Sequence, residues 1–93
     1  MVDILIINET LGGKIMNEQK LRAIFAEALH IDIDRVTDEL TYNSIPEWDS
    51  IAHMTLIAEI DDAFDTMLDT DDVLDMSSFA KARQILSKYE VHF

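Results

Sequence analysis

Apolar residues recur at helical spacing in three stretches of the chain and lose that regularity between them. Leu21, Ile24, Phe25, Ala28 and Leu29 form the first stripe. They predict a helix from Glu18 to His30, with Asn17 as its N-cap and Glu18 near the positive end of its dipole. Leu56, Ile57, Ile60 and Phe64 form the second, inside a run from Ile51 to Phe64 that holds neither Gly nor Pro. Asp49 stands where that helix needs a cap. Phe79, Ala82, Leu86 and Tyr89 form the third stripe, with Ile85 on its flank and Ser77 as the N-cap.

Between the first two stripes lies a long connection, Ile31 to Asp49, whose apolar residues Ile33, Val36, Leu40 and Ile45 are irregularly spaced among Asp, Thr, Asn and Ser. Connections this long inside a small domain are usually functional. One helical turn is expected over Asp34 to Asp38, with Val36 and Leu40 pinning the loop, and Pro46 disfavours helix at Ile45. Asp69 to Asp75 is short and acidic, long enough for at most a two-turn helix. The first residues differ in kind: a strand-like Ile4 to Ile7, then Asn8-Glu9-Thr10, then Gly12-Gly13. We therefore expect a disordered extension over residues 1–15 ahead of a folded domain over 16–93. The architecture expected is all-α, a four-helix bundle of three long helices and a short third one.

Composition narrows the choices. Ninety-three residues make one domain, too small to enclose a deep catalytic pocket. There is no cysteine to build a disulfide framework or a thiolate metal site, and two Gly with one Pro argue against a turn-rich β fold. Nineteen acidic residues against seven basic give a formal charge of -12, which repels nucleic acid and anionic membranes and favours basic protein partners. Between Arg35 and Lys81 there is no Lys or Arg at all. No apolar run is long enough to span a bilayer or to form a signal-peptide core, so a cytoplasmic protein is expected. Asp69, Asp71 and Asp75 do not make a calcium loop, because Leu74 and Ala80 stand where an EF-hand needs Gly and Glu. No metal site is expected.

The run Glu47-Trp48-Asp49-Ser50-Ile51 sets Ser50 at the start of the second helix. Asp49-Ser50-Ile51, opening an apolar and acidic helix that closes on Phe64, resembles the acyl carrier protein family, free-standing type, whose signature is Asp-Ser-Leu at that place. The resemblance extends from about Met16 to Tyr89 and includes the loop length before the serine and the short third helix. It implies that a phosphopantetheinyl transferase moves 4'-phosphopantetheine from coenzyme A onto the Ser50 hydroxyl, making the chain a phosphoprotein. Acyl or aminoacyl groups then ride on the arm as thioesters. Asp49 is implied to cap the helix and to help the transferase hold its Mg2+. A serine in the first helical turn suits this role, since the unpaired backbone N–H groups there favour a phosphodiester's charge. Trp48 departs from the Leu-Gly of many relatives and is read as an anchor of the loop. Among fatty acid, polyketide and secondary metabolite biosynthesis, Ala52 and Thr55 weigh against the first, since the fatty-acid type commonly has acids there; the free-standing length and the Glu-Trp-Asp-Ser-Ile run resemble carriers of specialised pathways such as polysaccharide modification, aminoacyl transfer or secondary metabolism.

His53, three residues after Ser50, raises a Ser–His hydrolase reading. The serine lacks a Gly-x-Ser-x-Gly elbow and the chain lacks an oxyanion-hole segment, so His53 is expected to be an exposed helix histidine and the protein not an enzyme. Ile51, Met54 and Ala58 form a second apolar line on the same helix, which either packs under the loop or stays exposed for docking; the resemblance favours exposure. With Glu59, Asp61, Asp62 and Asp65 they make the expected partner-binding set, steering basic docking patches of the transferase, a loading ligase and downstream acyltransferases or synthases. A monomeric, non-catalytic carrier is the leading expectation. The alternative is an acidic helical adaptor that binds a basic protein without a prosthetic group.

Overall fold

The computed structural model describes residues 13–93, with side chains from Asn17 onward. Among these residues it contains four α-helices, α1 (Gly13–Leu29), α2 (Ser50–Phe64), α3 (Thr70–Asp75) and α4 (Phe79–Ser87), and a single 3-10 turn at Ile33–Arg35. This is the all-α bundle of four helices that the apolar spacing predicts. The expected extension lies almost wholly outside the described residues.

The stripes become the core because each points at the others. Leu21, Ile24, Phe25, Ala28 and Leu29 of α1 are buried, as are Leu56, Ile57 and Ile60 of α2 and Phe79, Ala82, Ile85 and Leu86 of α4. Phe25 sits at the centre, meeting the Trp48 ring edge-on at 5.5 Å and the Phe79 ring at 5.1 Å. Edge-to-face pairs at such separations satisfy the ring quadrupoles while excluding water. Arg22 and Arg83 lie over the Phe79 ring, and Arg83 also bonds Glu18 at 2.6 Å and Asp38. That guanidinium thus ties α1, the long loop and α4 together.

Three local expectations are corrected. Helix α1 starts at Gly13, not Glu18, so Asn17 is inside the helix and is no N-cap; its side-chain N–H donates instead to the backbone oxygen of His92 (3.0 Å). Ser78, not Ser77, caps α4, its hydroxyl accepting from the Lys81 N–H (2.9 Å). The loop's helical turn is shorter than Asp34 to Asp38 and begins at Ile33. Val36 and Leu40 pin the loop as expected, both being buried.

The long loop is stitched to the link between α3 and α4. Phe79 N–H donates to Leu40 O (3.0 Å), Tyr42 N–H donates to Ser77 O (2.8 Å), and Thr41 pairs with Ser78 in an isolated antiparallel bridge. Helix α3 is held from its other side by Asp72. This buried carboxylate accepts from Tyr89 Oη (2.6 Å) and from Lys88 Nζ, both just past the end of α4. A buried carboxylate needs such donors, since an unpaired one would be expensive.

Candidate functional site

Ser50 opens α2, and its local geometry follows from Asp49. Asp49 is extended (φ -107°, ψ -173°), and its carboxylate accepts from the Ala52 N–H at 2.9 Å, the bond expected of an N-cap. The Asp49 carbonyl takes the His53 N–H (2.9 Å). This leaves the Ser50 and Ile51 N–H groups as unpaired donors of the first turn, beside an exposed Ser50 side chain.

Three side chains close around the serine. Trp48 is completely buried, which makes it the loop anchor expected from the sequence. Its indole Nε1–H donates to His53 Nδ1 (3.0 Å), and the two rings stack at 6.0 Å with 23° between planes. An indole N–H is only a donor, so Nδ1 is the unprotonated nitrogen and Nε2 carries the hydrogen. His53 Nε2 then donates to Val73 O at 2.8 Å. His53 is therefore not the exposed helix histidine expected: it is half-buried and links the loop to α3. With both nitrogens engaged it has no free lone pair for the Ser50 proton, which removes the geometric basis of a Ser–His pair. Tyr42, from the loop, sets its ring edge against Trp48 (6.0 Å) and His53 (5.5 Å) and places its hydroxyl 3.0 Å from Ser50 Oγ.

A cavity of about 310 Å³ opens beside the serine, lined by Tyr42, Ser50, His53, Met54, Val73, Leu74, Met76 and Ser77. Its walls come from the loop, α2, α3 and the α3–α4 link, so the stitching described above also shapes the cavity. Of this lining only Ser50 and Met54 are site candidates from the sequence; sequence reasoning misses Tyr42, Val73, Leu74, Met76 and Ser77, and sets His53 aside as an exposed helix residue. Tyr42 carries no periodic signal and stands eight positions before Ser50 in an irregular loop.

Ile51 and Met54 are 80% and 62% exposed, and Ala58 is exposed too, so this second apolar line does not pack under the loop. Leu74 on α3 (77%) and Met67 (86%) extend the apolar surface. Among the acids, Asp62 and Asp65 are exposed, whereas Asp61 turns inward to accept from Thr66 Oγ1 (2.9 Å) and the Leu68 N–H (3.1 Å). Glu59 is half-buried, with one carboxylate oxygen lacking a partner among the described residues. Its pKa is raised by burial first and by nearby Glu27 second, against an opposing effect of His30. Asp72 is shifted the other way, held below the usual carboxylate range by its hydrogen bonds to Lys88 and then Tyr89. No three His, Asp or Glu side chains among the described residues are grouped to hold a metal ion. No helix among them is long and apolar enough to cross a membrane.

Ser50 thus opens the second helix of an all-α bundle, directly behind the Asp49 cap. The family model described as phosphopantetheine attachment site matches residues 19–82, and the chain belongs to that family. Members carry covalently attached 4'-phosphopantetheine. No curated protein and no solved structure matches the chain.

Proposed function

We propose that Ser50 is the attachment residue and that the protein is a non-catalytic, monomeric carrier of acyl or aminoacyl groups in the cytoplasm. The observation that carries the reading is the exposed Ser50 hydroxyl in the first turn of α2, behind the Asp49 cap and within the matched residues. The site suits a phosphodiester: two backbone N–H groups and the Tyr42 hydroxyl stand near Oγ, and no bulky wall covers it. In the loading step Ser50 Oγ bonds to the pantetheine-bearing phosphorus of coenzyme A as the pyrophosphate P–O bond breaks. Adenosine 3',5'-bisphosphate leaves, and the hydroxyl proton passes to a base on the transferase. When bound, the arm supplies a thiol on which cargo is held as a thioester.

Ile51, Met54 and Ala58 form the apolar centre of the docking face, with the exposed Asp62 and Asp65 on its acidic side; Asp61, turned inward to Thr66 and Leu68, and the half-buried Glu59 present less charge there than the sequence led us to expect. Such a face meets basic patches on the transferase, the loading ligase and downstream acyltransferases or synthases. A cavity of about 310 Å³ is near the lower end of ligand pockets, which favours a short acyl or aminoacyl cargo of a specialised pathway over a long fatty chain. Intact mass after incubation with coenzyme A and a promiscuous phosphopantetheinyl transferase tests the assignment. Wild type should gain one phosphopantetheinyl group and Ser50→Ala none. A wild-type chain of unchanged mass would favour the acidic adaptor instead.

A further inference from the structure

Tyr42 has no place in the serine motif, yet its hydroxyl is the side-chain group that the fold brings to Ser50 Oγ. The tyrosine is held on several sides. Its N–H is bonded to Ser77 O, the next residue's N–H donates to Trp48 O (3.2 Å), and its ring is set against Trp48 and His53. A phenol on a fixed backbone has only two torsions, so a hydroxyl so constrained is pre-organised at little entropic cost.

The electrostatic setting gives that hydroxyl its importance. Neither Lys nor Arg occurs in the sequence between Arg35 and Lys81, and the cations at the two ends of that stretch are already paired, Arg35 with Glu47 and Lys81 with Asp75. Asp49 adds a like charge one residue away. Tyr42 Oη is the one side-chain hydroxyl hydrogen-bonded to Ser50 Oγ among the described residues, and a phenol can join the Ser50 and Ile51 N–H groups as a neutral donor to the phosphodiester.

We propose that Tyr42 is a positioning residue for the arm, an inference that rests on Ser50 being the attachment point. Before loading, its hydrogen bond fixes the Ser50 rotamer. After loading, its hydroxyl donates to a phosphodiester oxygen and turns the base of the arm toward the cavity bounded by His53, Met54, Val73 and Met76. Losing one such hydrogen bond corresponds to about a 2- to 10-fold effect. Tyr42→Phe should therefore lower the kcat of loading by about that factor and leave KM for the carrier unchanged, because the docking face is untouched.

The decisive measurement is the ³¹P spectrum of the loaded chain, compared for wild type, Tyr42→Phe and Tyr42→Leu, with far-UV circular dichroism verifying the fold. The expected result is a phosphodiester resonance displaced and narrowed to the same extent in both variants. A Tyr42→Phe spectrum identical to wild type overturns the inference while leaving the Ser50 assignment intact, and it does so even if Tyr42→Leu differs, since ring packing alone would then be responsible. A wild-type chain that takes up no arm overturns the assignment itself.

Discussion

Replacing His53 with Ala would break the link between the loop, α2 and α3 while leaving Ser50 and its cap in place. Two groups lose partners. The Trp48 indole N–H, in a completely buried side chain, loses its acceptor at 3.0 Å, and Val73 O loses its donor at 2.8 Å. A buried unsatisfied donor costs about 1–3 kcal/mol, and the half-buried carbonyl, which water can reach, adds about 0.5–1 kcal/mol. Loss of the stacked imidazole exposes part of the Trp48 face, so the whole change should destabilise by about 2–4 kcal/mol. For a domain of this size that lowers Tm by about 10–20 °C. Trp48→Phe removes the same N–H···N bond from the other side. Urea denaturation followed by far-UV circular dichroism on wild type, the two single variants and the double variant closes a double-mutant cycle, with an expected coupling of about 1 kcal/mol. A coupling indistinguishable from zero, or a His53→Ala cost below about 0.5 kcal/mol, would refute the reasoning, because the bond would then contribute nothing beyond ring packing.

Asp72 predicts an acid limb. Its folded pKa is depressed, so its contribution is complete above the ordinary carboxylate value of 3.8 and is lost as pH falls from there through the folded pKa. Asp72→Asn should flatten the acid side of a stability–pH curve, and an unchanged acid limb would contradict the assignment. Glu59 has the opposite sign: its raised pKa means the charged form strains the fold at neutral pH and is relieved on protonation. Glu59→Gln should raise the urea midpoint at pH 7, with the difference vanishing below the ordinary value of 4.5; a lowered midpoint at pH 7 would count against it. His30 follows α1 in the left-handed region (φ 56°), where a side chain is strained. His30→Gly should stabilise by about 0.5–1 kcal/mol in the same assay, and a loss of stability would show that the imidazole makes a contact outweighing the strain.

The parts of the fold legible in the sequence are those set by neighbours along the chain. Spacing alone marks the buried faces of α1, α2 and α4, and Asp49 is readable as a cap because its acceptor and the Ala52 N–H are three residues apart. Errors arise where distant partners decide. Asn17 has the chemistry of an N-cap, but its side chain reaches His92 across the fold. Ser77 and Ser78 are equivalent in the sequence; pairing of Ser78 with Thr41 and donation from Phe79 to Leu40 make the second serine the extended residue that caps α4. The place of Ser50 at the start of α2 is legible because its motif and cap are local. Tyr42 and the role of His53 are not, because Tyr42, Trp48, His53 and Val73 come from the loop, α2 and α3 and converge only after folding.

On the proposed carrier reading, the tie between His53 and Val73 also makes one wall of the cavity a threshold for the length of a cargo held there. Moving α3 outward at that end would break one hydrogen bond, a loss of about 0.5–1.5 kcal/mol. Each methylene newly taken out of water contributes about 0.8 kcal/mol in return. One extra carbon is therefore near break-even, whereas two or three would outweigh the tie, until Asp72 resists at its anchorage to Tyr89 and Lys88. Occupancy of such a site should change in steps along a homologous series of cargoes, not in proportion to their length.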